Sequence, residues 1–318
     1  MKVMITGISG FVGSHLAEHL LSMGHEVHGI VRWRSKMENI SHIQDKLHLV
    51  NADIRDGYSL QNVFKYVNPD VCFHLAAQSF VKESWNAPIE TLSTNILGTA
   101  NVLEAVRLTC PACVTVVAGS SEEYGLVHPS ETPIKEDNQL RPMSPYGVSK
   151  CATDYLGRLS YMSYGMKTIV TRSFNTTGPR RGDVFATSSF AKQIAEIEVL
   201  NKKPVMYVGN LDAQRDWTDV RDVVRAYWLV AMKCKAGEVY NICQGQVRSV
   251  REMLDMLLDM SIVDIEVKQD ADRMRPSDVP LLLGSADKVK IITNWKPRIP
   301  FEQTMTDLLQ YWRKKVKQ

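Results

Sequence analysis

The stretch GSSEEYG, residues 119 to 125, ends the apolar run VTVVA by setting two hydroxyls beside two carboxylates. Downstream, Tyr146 and Lys150 are four residues apart, which puts both on one face of a helix. A lysine cation beside a tyrosine stabilises the phenolate. Lowering a tyrosine pKa from roughly 10 toward 7 takes about 4 kcal/mol, which one close cation in a partly desolvated site supplies. A hydroxyl at Ser120 would hydrogen-bond the reacting oxygen. If the strand stays extended to its end, Ser120 and Glu122 face one side and Ser121 and Glu123 the other. Glu122 is then the carboxylate beside Ser120, and Glu123 reads as structural or solvated. The same spacing recurs at Tyr311 and Lys315 on an amphipathic C-terminal helix, where nothing else suggests chemistry. Context favours the first copy, because Ser144-Pro145 opens its helix after a strand end, where doubly wound folds place ligands.

Elements able to position these groups alternate from the first residue. KVMIT precedes a helix over 11–23, HEVHGIVR is a strand, and KLHLVNAD precedes a helix over 58–67. VCFHLAA then leads to a helix over 91–108, VTVVAGS to one over 144–165, and KTIVTRSF closes the series. Strands with no polar alternation need a sheet covered on both faces. The fold class expected is therefore α/β, a doubly wound parallel sheet of Rossmann type, with a smaller interleaved α/β substrate domain. Helix 219–233 and strand 238–243 are expected to rejoin the sheet. Residues 1–174 plus 214–243 would form the nucleotide-binding domain, and 175–213 plus 244–318 the sugar-nucleotide domain.

Gly7, Gly10 and Gly13 lie between the first strand and the first helix, with Phe11 and Val12 opening that helix. Missing β-carbons there let backbone N–H groups approach a pyrophosphate. The second strand ends near Arg32, where an NAD-binding protein usually carries an acid. Arg32, Arg34 and Ser35 instead offer cations and a hydroxyl to a 2′-phosphate, so NADP is the expected cofactor; a solvated loop arginine is the plain alternative. Asp53 and Ile54 would face the adenine, although an Asp in a strand-to-loop turn is also common. Ala76 and Ala77 would let the cofactor pass close, and Asn95 reads as structural.

With these motifs in place, the chain resembles the extended short-chain dehydrogenases/reductases along essentially its whole length, and the resemblance is close to the subgroup acting on GDP-activated mannose. Likeness to the GDP-mannose 4,6-dehydratases rests on VHGIVRWRS, GPRRGDVF, GNLDAQRDW and RPSDVPLLLG; likeness to the reductases of GDP-4-keto-6-deoxy-mannose rests on GSSEEYG, LRPMSPYGVSK and WKPRIP. The resemblance implies a lyase in which Tyr146 takes the O4 proton, Lys150 holds phenolate and ribose, Ser120 orients O4 and Glu122 moves the C5 proton. Reduction of the keto sugar to GDP-rhamnose is the alternative, as is another epimerase or dehydratase. It also implies substrate contacts at Ser79, Ser121, Asn175, Arg180, Arg215 and Arg275, and pairing of subunits into a homodimer or homotetramer through helices 91–108 and 144–165. Two departures stand out: Ser121 lies where dTDP-glucose dehydratases carry an Asp, and Phe174-Asn175-Thr176 replaces the frequent Phe-Asn-His, which leaves the sugar's stereochemistry open.

A net charge of +3 gives little support for nucleic-acid binding, and no apolar run approaches the roughly 18 residues of a membrane span. A cytoplasmic location is expected from an N-terminus that enters a strand without a cleavable apolar region. Cys110 and Cys113 have no second ligand pair at zinc spacing, so no metal is expected.

Overall fold

A computed structural model describes residues 1–274 and 279–318. In chain order the strands are β1 (Lys2–Thr6), β2 (Glu26–Val31), β3 (His48–Asn51), β4 (Val71–His74), β5 (Val114–Ser120), β6 (Thr168–Ser173), β7 (Asn175–Thr177), β8 (Val205–Val208), β9 (Gln214–Asp219), β10 (Val239–Ile242), β11 (Val247–Ser249), β12 (Glu266–Gln269) and β13 (Leu281–Leu282). Seven of them pair in parallel in the order β10-β6-β5-β4-β1-β2-β3. The chain builds outward from β1 and then restarts at β4 on its other side. This reversal opens a crevice between β1 and β4 at the carboxyl ends of the strands.

Both faces of the sheet are buried, as the unbroken apolar strands require. Val3 and Ile5 enter one core cluster and Met4 the other; Val116 and Val117 divide in the same way. Strand β10 pairs with β6, so the expected return to the sheet after residue 219 occurs. Outside it, β7, β9, β11 and β13 form a small sheet and β8 and β12 another. A third apolar cluster collects side chains from helices Ala186–Leu200, Val250–Asp259 and Phe301–Lys315 around them.

The helix Pro145–Tyr164 shows how sequence sets an element's ends. Ser144 Oγ accepts the Gly147 N–H at 3.0 Å, Pro145 occupies the first turn, and Gly165 closes the helix at φ +66°. At Gly157 an added Cβ would meet Val170 at 2.9 Å, so its absence lets this helix lie close on β6. The helix expected over 91–108 is interrupted: Pro88–Leu92 is α-helical, Ser93–Leu97 is a π-turn, and Gly98–Thr109 resumes the α-helix. The widened turn points Asn95 inward, where it accepts from the Gln78 N–H at 2.8 Å and donates to Ser149 Oγ at 2.8 Å. Asn95 is thus structural, as its helical setting suggested. Cys110 and Cys113 are free thiols within a core cluster. Among the described residues no helix is long and apolar enough to cross a membrane.

His74 ends β4 and joins the strands beneath the crevice. Its Nδ1 lies 2.8 Å from Thr6 Oγ1 and its Nε2 2.9 Å from Thr99 Oγ1. Burial, aided by the Lys150 charge, lowers its pKa to about 3. Between that value and the ordinary 6.5 the unfolded chain binds the extra proton. Stability from this group is therefore complete above pH ~6.5 and is lost as pH falls toward 3, at about 1.4 kcal/mol per pH unit. From pH 7 to 5 the expected loss is about 2 kcal/mol in urea unfolding. An NMR titration showing His74 protonated in the folded protein above pH 5 would contradict it.

Candidate active site

At the amino end of helix Phe11–Ser22, Gly10 is the cap residue, no side chain caps the turn, and no acid occupies it. Its free N–H groups and the dipole favour an anion. Gly7 adopts φ +75°, and a Cβ there would lie 2.9 Å from the Ala76 backbone. At Gly13 a Cβ would fall 2.2 Å from the Gly7 carbonyl oxygen. Neither neighbour is a side chain that could swing away. Gly13→Ala is accordingly expected to cost about 1–3 kcal/mol of stability and to displace the pyrophosphate turn. Unchanged melting temperature and dinucleotide affinity would count against that reading.

From this turn a cleft of about 560 Å³ runs along the carboxyl ends of the strands. One end is lined by the glycine turn with Phe11 and Val12, then by Arg32, Ser35, Asp53 and Ile54. Ala76, Ala77, Ser79, Ser120, Ser121, Glu122, Tyr146, Lys150, Asn175 and Thr176 also line the cleft. The residues of a dinucleotide site fit such a ligand: uncapped amides for the phosphates, an arginine and a hydroxyl at the end of β2, and small residues along the path.

Three expected contacts are not at this cleft. Arg34 stacks on exposed Trp33, its guanidinium 4.8 Å from the ring centroid. Arg180 takes φ +71°, which turns its side chain toward the first helix. There it pairs with Glu18 and donates to His15 Nδ1 at 2.7 Å and to the Asn39 carbonyl at 3.1 Å. Arg215 is buried within β9, donates to the Gln214 carbonyl at 2.9 Å, and lies outside the cleft lining. Arg275 lies outside the described residues. Instead Arg181, next to Arg180, lines the cleft with its guanidinium 3.9 Å from the Phe185 ring centroid. Trp217 and the pair Tyr227–Ser173, joined by a 2.8 Å hydrogen bond, also line it. Tyr227 had no distinguishing signal, because it reads as one more apolar-face residue of its helix. The second Tyr-x-x-x-Lys copy is a surface strut in which Lys315 binds Tyr311 at 3.1 Å and Glu38 at 3.2 Å.

The reactive turn departs from the extended geometry expected of it. β5 ends at Ser120, and Ser121–Glu123 form a single 3-10 turn. Alternation therefore does not decide which carboxylate faces the cleft; curvature does. Glu122 is brought to the cleft, with its N–H donating to Ser120 Oγ at 3.2 Å, while Glu123 is fully buried and accepts the Ser120 N–H at 2.7 Å. A Cβ at Gly147 would sit 2.8 Å from the Glu122 carbonyl, so the missing side chain lets the helix of Tyr146 and Lys150 abut this turn.

The electrostatics also correct an expectation. Burial raises the Tyr146 phenol above its usual value, with the Ser120 hydrogen bond working against it and the Glu122 charge adding to it. Burial lowers Lys150 to about 8, while Glu123 pulls it back up. The Lys150 ammonium donates to the Ala118 carbonyl at 2.7 Å and lies 5.9 Å from the Tyr146 ring centroid. Protein groups alone thus do not make this phenol acidic, because desolvation outweighs the Ser120 hydrogen bond. What they provide is a phenol, an ammonium, a hydroxyl and a carboxylate around one cavity.

A family profile described as GDP-mannose 4,6 dehydratase matches residues 4–308. A GDP-6-deoxy-D-mannose reductase of Pseudomonas aeruginosa is 33% identical over 317 residues, covering 100% of this chain and 99% of that protein. A GDP-mannose 4,6 dehydratase of Homo sapiens is 33% identical over 338 residues, covering 96% and 90%. Among solved structures, RMD from Pseudomonas aeruginosa complexed with NADPH is similar at a TM-score of 0.86 and 32% identity, with 99% of each chain covered.

Proposed function

The chain belongs to the GDP-mannose 4,6-dehydratase family, within the extended short-chain dehydrogenases/reductases, and from that membership we propose that it converts GDP-mannose to GDP-4-keto-6-deoxy-mannose. The observation that carries this reading is Glu122 lining the same cavity as Ser120, Tyr146 and Lys150. Bound nicotinamide would supply a hydride acceptor for C4 and a hydride donor for C6. Tyr146 accepts the O4 proton while Ser120 orients that oxygen. Lys150 stabilises the phenolate that takes this proton and would hold the nicotinamide ribose. Glu122 removes the C5 proton, made acidic by the adjacent ketone, and delivers it to the hydroxyl leaving C6 as water; when C6 receives hydride, C5 takes up a proton, and the count closes because Tyr146 releases the one it took from O4. Serving both half-steps falls to Glu122 because Ser121, the neighbouring group, is a poor proton donor. The reaction is redox-neutral overall.

NADP is favoured over NAD because Arg32 and Ser35 line the cleft at the end of β2 and Asp53 is already paired with Arg55 at 2.7 Å. Tighter binding of NAD than of NADP would defeat this. Asn175, and Arg181 with its guanidinium 5.4 Å from the Phe11 ring centroid, are cleft groups available to the sugar nucleotide. Exposed Tyr155, Leu159 and Met162 on helix Pro145–Tyr164, with Ile89 and Leu97 before it, support a homodimer or homotetramer. Sedimentation as a monomer at micromolar concentration would remove that part.

Incubation with GDP-mannose and substoichiometric NADP is expected to form the keto sugar without net change in nicotinamide absorbance. No product sinks the proposal. A second reading, NADPH-dependent reduction of the keto sugar, is favoured by the end-to-end match to the Pseudomonas aeruginosa reductase. It needs Ser120, Tyr146 and Lys150 only, and would appear as stoichiometric loss of NADPH when the keto sugar is added.

A further inference from the structure

Directly opposite Gly119 in the β5–β6 register stands Arg172, a cation that is 2% exposed. Its Nε donates toward Glu123 at 3.1 Å and Asp154 at 3.0 Å, and a second nitrogen reaches Asp154 at 2.9 Å. Its remaining terminal nitrogen donates to Tyr124 Oη at 3.1 Å and to the Glu136 carbonyl at 3.0 Å. Glu123 and Asp154 are both fully buried. The first belongs to the turn holding Ser120 and Glu122; the second lies on the helix holding Tyr146 and Lys150, one turn beyond Lys150.

We infer that Arg172, Glu123 and Asp154 form a positioning clamp that holds the Ser120–Glu122 turn in register with the helix of Tyr146 and Lys150. The inference rests on the reading of those four residues as the reactive set.

The grip on the turn is specific. Glu123 folds back so that Oε1 accepts the Ser120 N–H at 2.7 Å while Oε2 faces Arg172. That path exists only because residue 119 is glycine, since a Cβ there would lie 2.5 Å from Glu123 Oε1 and 2.9 Å from the Thr171 carbonyl. The far side is fixed as well: Tyr124 Oη donates to Asn241 at 2.7 Å, and Asn241 donates to the Ile134 carbonyl at 3.0 Å. Both Glu123 oxygens accept hydrogen bonds, which calls for the ionised form even though burial, then Asp154, pushes its pKa up. Stability alone gives no reason for this arrangement, because well-packed apolar residues commonly hold a core as well as a buried ion cluster does. Geometry does: the clamp sets two backbone segments against each other with directional bonds. It also places a negative charge that raises the affinity of Lys150 for its proton.

The test is Glu123→Leu, with Asp154→Asn as a second variant, read by exchange, kcat and KM but not by the pH profile, should the first not fold. Amide hydrogen exchange is followed over 119–125 alongside kcat, KM and the pH profile. The clamp predicts exchange at Ser120 faster by about 10-fold or more while the sheet core keeps its protection. It further predicts kcat lower by about 10- to 100-fold with KM nearly unchanged, and an alkaline limb moved to lower pH. Exchange at Ser120 equal to the unmodified protein overturns the inference, and so does faster exchange with unchanged kcat. Should the unmodified protein turn over no GDP-sugar, the proposed function fails while the exchange measurement still decides whether the clamp holds the turn.

Discussion

Glu122→Gln is expected to lower the turnover of GDP-mannose by about 10²–10⁴-fold, the range supplied by a positioned general base. The amide keeps the shape of the carboxylate but cannot take the C5 proton. Oxidation at C4 depends on other groups and should continue. The variant is therefore expected to accumulate reduced nicotinamide on the enzyme, up to one equivalent, with little 6-deoxy product. Stability should change little, because Glu122 faces the cleft while Glu123 makes the buried contacts of the turn. Full dehydration by this variant would remove Glu122 from the mechanism. Full keto-sugar reduction together with absent dehydration in the unmodified protein would establish the reductase reading instead.

Tyr146→Phe should produce a loss of similar size, about 10²–10⁴-fold, but at an earlier step. No group then takes the O4 proton, so neither reduced nicotinamide nor product is expected. The two variants are separated by this difference in what accumulates. Removing one hydroxyl from a residue that is 8% exposed leaves the packing of its ring intact, and the folding cost is expected to be about 1 kcal/mol. Cofactor affinity should hold within a few-fold. Appreciable turnover in Tyr146→Phe would show that another hydroxyl lining the cleft, such as Ser120 or Tyr227, can replace the phenol.

The neighbouring arginines show where reading a sequence stops. GPRRG announces cations for a ligand, and one of its two arginines does line the cleft, but it is Arg181. Which of two adjacent arginines faces a cavity depends on one backbone dihedral, the +71° of Arg180. Glu122 and Glu123 pose the same problem in reverse. The expectation that Glu122 stands beside Ser120 agrees with the cleft lining, yet its premise of an extended strand does not, because the chain coils at Ser121. Acidity was the least legible property. Spacing shows that Lys150 neighbours Tyr146, but desolvation, which raises the phenol and lowers the ammonium, depends on everything packed around them.

Local pattern was enough for the alternating elements, the parallel sheet, the glycine turn at the first helix and the helical face shared by Tyr146 and Lys150. Each depends on residues close along the chain, where periodicity and missing side chains limit the backbone directly. Only the tertiary structure decided which arginine enters the cleft, that Glu123 turns inward onto Arg172, and that Tyr227 joins the site from helix Val220–Lys233. Those outcomes depend on groups far apart in sequence meeting in a medium that has lost its water, and neither separation nor solvation is written in any short run of residues.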